Sequence, residues 1–278
     1  MEVDPKEITA FLDKGIKIPA QPKVLLEVDE LVGEPRANIK AIAALVAHDA
    51  GVTAALFRIA NSSAFALSKQ MDSVEGAISI LGLEQVLTLV KCTLLRQAIG
   101  GDAPVYEKFW ERSGYIAQLA ATIARKQKFV CHITPEHAYM AGLFFECGVP
   151  LLMQRFPEYC AAFRLSNGSG WPTLTEEDRL LDTDHAVAGY LVSHYWRLPE
   201  FIGLSIRYHH DIFRADAVSR TMVAILLMAT HLYNLRHQQP DDAEWLGLMP
   251  TVLLELGLDA DGRQEFEEDI FDAFVVAS

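Results

Sequence analysis

Residues 83–99 run LEQVLTLVKCTLLRQAI, and their spacing decides the fold class. Leu83, Val86, Leu87, Val90 and Leu94 recur in steps of three and four, which puts them on one stripe of a 3.6-residue helix. Gly82 precedes the stretch and Gly100-Gly101 follows it; glycine is the residue that most readily ends a helix. Upstream, Asp72 or Ser73 is placed to cap a helix that buries Ile78 and Leu81 and stops at Gly82. Before that, Asn38 caps a helix carrying Ile39, Ile42 and Val46. Gly51 is expected to interrupt it, and Val52, Leu56 and Ile59 continue as a second helix.

The same period persists downstream. Tyr106, Phe109, Ser113, Ile116, Ala120 and Ile123 share one helical face, and Thr134-Pro135 has the form of a cap followed by proline in the first turn. Ser166 to Gly170 is expected to be the most flexible loop. Thr175 with Asp178 resembles a capping box, and Leu198-Pro199 separates two helices. Met222–Leu235 is apolar on nearly all sides, which predicts a buried helix. Phe266, Ile270, Phe271 and Phe274 are spaced to dock a final one. No strand alternation or fixed repeat competes with this pattern. The fold class is all-α, a multi-helix bundle, with Gly100 to Pro104 as the best internal boundary.

Composition narrows the functions. Of 278 residues 51% are hydrophobic and 22% charged, enough apolar material for a large core. The net charge of −13, with no basic cluster beyond Arg125, Lys126 and Lys128, argues against nucleic acid and anionic membranes as direct partners. Cys92, Cys131, Cys147 and Cys160 stand too far apart for a zinc finger and are expected as buried, reduced thiols. MEVDPKEI at the start lacks the apolar stretch of a signal peptide, and the longest apolar run, Met222–Ala229, falls short of a membrane span. The expected location is the cytoplasm.

Five of nine histidines lie between His185 and His231. His185 follows Asp184, and His209 and His210 adjoin Asp211, residue types that could hold a divalent ion and acidify its water. Neighbours on a helix point about 100° apart, so His209 and His210 are not expected to serve one site. Single histidines are more often packed or surface residues. Ser62-Ser63 lacks a nucleophile signature and is expected to cap a loop. Trp110, Trp171, Trp196 and Trp245 are expected in or beside the core, with Trp171 as the candidate partner contact.

Several segments in order resemble the HDOD family. They are Ile18-Pro19-Ala20-Gln21-Pro22, His48-Asp49-Ala50-Gly51-Val52-Thr53, Ile59-Ala60-Asn61-Ser62, Val74-Glu75-Gly76-Ala77-Ile78, Leu81-Gly82-Leu83, Ala141-Gly142-Leu143 with Glu146-Cys147-Gly148, and Asp184-His185 leading to Ile206-Arg207-Tyr208-His209-His210. The resemblance implies an N-terminal helical sub-bundle packed on an HD-like helical core. It suggests a helix over 1–15, an HDOD domain over 16–213 with sub-bundles at about 16–100 and 104–213, and a C-terminal extension over 214–278.

HDOD domains are related to HD phosphohydrolases, whose metal is held by a His, a His-Asp doublet and a distant Asp. Carried onto this chain, the resemblance puts Arg112 at the first His, Phe145-Glu146 at the doublet and Thr230 at the late Asp. His185, His209 and His210 match positions used by HD-GYP cyclic-dinucleotide phosphodiesterases, but Asp211-Ile212-Phe213-Arg214 replaces the Gly-Tyr-Pro element. Phe145 offers no lone pair and Arg112 adds a permanent cation. No metal, cofactor or catalytic residue is therefore expected, and Arg112 is placed to pair with Glu146. The resemblance implies a non-catalytic signalling domain with signalling proteins as partners. The alternatives are a metal-dependent phosphohydrolase using His185, His209, His210 and Glu146, or a nucleotide sensor with Arg112 as the anion contact.

Overall fold

The computed structural model describes residues 9, 11, 13–34, 38–67, 69–101, 103–165, 171–240 and 243–275. Among them there are helices and no strands. The N-terminal group comprises α1 (Lys23–Gly33), α2 (Ile39–Ala47), α3 (Ala50–Ala60), α4 (Val74–Leu81) and α5 (Leu83–Ile99). The second group opens with α6 (Pro104–Lys126), the short α7 (Lys128–Cys131), α8 (Pro135–Phe144), α9 (Gly148–Arg155), α10 (Tyr159–Ala162) and α11 (Leu174–Leu181). It continues with α12 (His185–Tyr195), α13 (Glu200–Tyr208), α14 (Ala217–Arg236), α15 (Ala243–Glu255) and α16 (Arg263–Val275).

Local capping chemistry sets most boundaries. Asn38 accepts from the Ala41 amide, Ser73 from Gly76, Thr134 from His137 and Asp184 from Val187. Two expected boundaries move. The break after α2 falls at His48-Asp49, because the Asp49 carboxylate caps α3, and Gly51 lies inside its first turn. The capping box is built by Thr173 and Glu176, two residues before the expected one, with the Thr173 hydroxyl 2.9 Å from Glu176 Oε2. Ser62 does not cap its loop. The neighbouring Asn61 closes it instead, its amide donating to Met71 O at 3.0 Å and its oxygen accepting from Met71 N at 2.7 Å.

The stripe on α5 is wider than its spacing indicated. Val86, Val90 and Leu94 are buried, and so are Leu89, Cys92 and Leu95 on the flanks. The reason is tertiary: α5 packs on α3 within its own group and also on α8, joining the two groups. The second group centres on α6 against α8, with α14 packed on both. A Cβ at Gly142 would stand 2.7 Å from Ala117 Cα, so glycine is required for the close approach of α8 to α6. The helices beyond residue 214 join the same core. Met222, Val223, Ala224 and Ile225 of α14 are fully buried, and Ile270 of α16 docks on the α6 side.

Of the helix expected over 1–15, Thr9, Phe11 and Asp13 are described and helical, and Phe11 is buried. The Ser166 to Gly170 loop lies outside the described residues. Among the described residues no single helix is long and apolar enough to cross a membrane; the pair α2 and α3 passes by composition but is bent by 107°.

Candidate functional site

The site forms where α12 and α13 meet the middle of the second group. Asp184 caps α12, which puts His185 in its first turn. Gly148 at the start of α9 lets that turn come close, since a Cβ there would stand 2.1 Å from the His185 carbonyl oxygen. His185 is fully buried and held from behind by Glu177 of α11, whose Oε2 lies 2.6 Å from its Nδ1 and accepts from its backbone N–H at 3.0 Å. The Tyr159 hydroxyl donates to the other Glu177 oxygen. Burial works against a charged His185, yet Glu177, with Glu146 and Asp184 beyond it, holds its pKa above the ordinary imidazole value. Burial and the carboxylate both push the Tyr159 pKa up.

His209 and His210 do serve one site, against the expectation from helical geometry. His209 is the last residue associated with α13 and His210 follows it, so the 100° step no longer applies and their ring centroids are 4.1 Å apart. His185 Nε2 lies 3.2 Å from His209 Nε2 and 3.2 Å from His210 Nε2. Each ring is anchored through Nδ1: His185 on Glu177, His209 on the Ile206 carbonyl at 2.7 Å and His210 on Glu244 at 2.7 Å. With its Nδ1–H donating, a neutral imidazole turns the Nε2 lone pair inward. Burial and the two neighbouring imidazoles push the His209 pKa well down, which keeps that ring neutral.

Next to this triad the Arg112 guanidinium forms the ion pair with Glu146, both side chains largely buried. Its carbon sits 4.2 Å above the Trp171 ring and 5.5 Å from that of Tyr233. Trp171 in turn stacks on Phe109 at 6.0 Å, so the ring nominated for a partner contact faces inward over Arg112. Phe145 meets His209 edge-on at 5.2 Å. A cavity of about 750 Å³ opens beside these groups, lined by Arg112, Glu146, Trp171, His209, His210 and Thr230 among others.

The structure thus brings Arg112, Glu146, His185, His209, His210 and Trp171 together. Tyr159, Glu177, Glu244 and Tyr233 belong with them and carry no local signal: each is an ordinary residue in its own segment, recruited from a separate helix. The residues fit two ion seats differently. An ion among Arg112, Phe145, Glu146 and Thr230, the positions that the HDOD resemblance assigns to an HD-type centre, does not fit, because Phe145 and a guanidinium offer no lone pair and Arg112 engages Glu146. One ion among the histidines does fit: zinc–nitrogen bonds of about 2.0–2.1 Å in a tetrahedron set ligand atoms roughly 3.3 Å apart, close to the 3.2 Å between His185 and each partner.

Fold and site define an all-helical bundle in which three histidines converge beside a buried Arg112–Glu146 ion pair at the edge of one cavity. The profile of the HDOD domain family matches residues 18–212, and the chain belongs to that family. It is similar over 96% or more of its length to two solved structures. One is a candidate metal-dependent phosphohydrolase from Shewanella amazonensis SB2B (17% identity, TM-score 0.71, 97% of this chain and 95% of that one). The other is an HDOD domain protein of unknown function from Geobacter sulfurreducens (22% identity, TM-score 0.65, 97% and 98%). These likenesses show the HD-type fold. An uncharacterized protein of Treponema pallidum (strain Nichols) is 22% identical over 228 residues, 81% of this chain, which spans 44% of that relative's length. Family membership supports a regulatory role in general.

Proposed function

We propose that the chain is a non-catalytic signalling domain of the cytoplasm that relays its state through contacts with other signalling proteins. The observation that supports this reading is the buried Arg112–Glu146 ion pair, which with Phe145 occupies the positions that the HDOD resemblance assigns to the metal ligands of an HD hydrolase. A guanidinium repels a dication, and the carboxylate it holds is no longer free to ligate. Elemental analysis of freshly purified protein, paired with a generic phosphodiester hydrolysis assay, tests it. The expected result is no stoichiometric transition metal and no turnover; stoichiometric metal with turnover that depends on His185 overturns it.

One observation favours a second reading, a metal-dependent phosphohydrolase: the three Nε2 atoms of His185, His209 and His210 converge beside the cavity. Those three residues would hold a single ion, and a bound ion supplies an acidified water. The chain's own residues orient the site whichever reading holds: Glu177, the Ile206 carbonyl and Glu244 fix the three rings. Cobalt(II) titration separates the readings. Intense visible bands of a tetrahedral nitrogen site, lost in His210→Gln, support the second; their absence supports the first.

A further inference from the structure

A second cavity, of about 310 Å³, lies at the junction of the two helix groups, away from the histidines. Arg58 of α3 and Arg96 of α5 line one side, and Trp110 of α6 and Tyr139 of α8 line the other. Arg58 opens the R-x-A-N-S segment whose Asn61 closes the loop to Met71, so its own side chain has no part in that latch.

Among the described residues neither arginine forms an ion pair or donates a hydrogen bond, while Arg112, Arg220 and Arg263 each meet a glutamate. Arg96 is half-buried with its guanidinium 5.6 Å from the Trp110 centroid. Glu107, exposed on the rim, pairs with neither. In a chain with 37 acidic and 24 basic residues carboxylates are plentiful, yet among the described residues none pairs with either of the two cations that share this concavity. Burial lowers the Arg96 pKa and the charge of Arg58 lowers it further, while the nearby Tyr139 hydroxyl works the other way. The buried Tyr139 in turn feels both guanidinium groups. An anion between the two arginines would relieve this repulsion and accept from their N–H groups.

We propose that this cleft binds a phosphoryl group of a small metabolite or nucleotide between Arg58 and Arg96, bridging the two sub-bundles. A phosphoryl dianion suits it better than a carboxylate, because it presents three acceptor oxygens to two planar forks. The volume, at the low end for small-molecule pockets, limits the attachment to a small one. The site is independent of the histidine cluster, so its failure would leave the proposed function untouched.

The test measures the melting temperature of the full chain against inorganic phosphate, glycerol 3-phosphate and acetate at constant ionic strength. A ligand of the folded state raises it in a saturable way. Saturable rises are expected with both phosphates. A tighter response to glycerol 3-phosphate identifies an esterified source, and an equal or tighter one to inorganic phosphate identifies the free ion. Arg96→Gln and Arg58→Gln should each weaken the midpoint at least tenfold. Arg58 is exposed, so Arg58→Gln is the variant that tests binding without risk to folding. Lys40→Gln, exposed on α2 and lining neither cavity, should leave the midpoint unchanged. Equal responses to acetate and phosphate, a rise that never saturates, or a midpoint unmoved in Arg58→Gln and Arg96→Gln would each overturn the proposal.

Discussion

His185 Nε2 and His209 Nε2 stand 3.2 Å apart in the interior, each ring tethered at its opposite nitrogen. Two inward lone pairs at that separation repel unless a proton or a cation lies between them. The tether on the His185 side is therefore the structural keystone: Glu177 accepts from the ring, from the His185 backbone and from Tyr159. Tyr159→Phe keeps the ring packing and removes one donor to a buried carboxylate, at a cost of about 1–3 kcal/mol. Urea denaturation should show a lower midpoint with unchanged slope; wild-type stability would contradict the network.

The Arg112–Glu146 pair makes a sharper prediction. Arg112→Met leaves Glu146 buried without its partner and should cost about 3–5 kcal/mol. Adding Glu146→Leu should recover most of that loss, since an apolar pair replaces an ionic one of similar bulk. A double-mutant cycle in denaturant measures the coupling, and simple additivity of the two losses would refute it.

Two glycines separate required from dispensable ones. Gly148→Ala drives a methyl group into the His185 carbonyl, and overpacking of this kind costs about 1–3 kcal/mol or more. Gly114, inside α6, has nothing within 4 Å of where its Cβ would be. Gly114→Ala should therefore gain roughly 0.5–1 kcal/mol from lower backbone entropy in the unfolded chain. Thermal unfolding of both variants checks the opposite signs.

Thiol reactivity follows burial. Burial pushes Cys131 up to about 11 and Cys147 up to about 12, and it raises Cys92 as well. The thiolate is the reactive form, so at pH 8 these three should resist iodoacetamide in the native state. Cys160, half-exposed, should label first, although burial raises its pKa too. Mass spectrometry of labelled protein should find one fast site in the folded chain and four after denaturation; rapid native labelling of Cys147 would show that the buried turn between α8 and α9 opens.

Much of the fold was legible because its signals are local. A cap acts on an amide two or three residues away, and a buried stripe repeats within a few turns, so Asn38, Ser73, Thr134 and the α5 stripe could be placed from the chain alone. Where Thr175 was expected to open a helix, the folded backbone put the cap two residues earlier, at Thr173. The motif order pointed to the HDOD family, and the same resemblance led to the expectation that Arg112, Phe145 and Thr230 replace HD-type ligands.

The tertiary structure alone decided the rest. His209 and His210 converge at the C-terminal end of α13, just past Tyr208, where the angular rule of an unbroken helix no longer sets the direction of both rings. Glu177, Tyr159 and Glu244 reach the site from helices up to 85 residues apart in the chain, and Arg58 meets Arg96 only because α3 packs on α5. Periodicity specifies which face of a helix is apolar. Which polar groups then meet depends on how many such faces pack at once, and that information resides in the whole core.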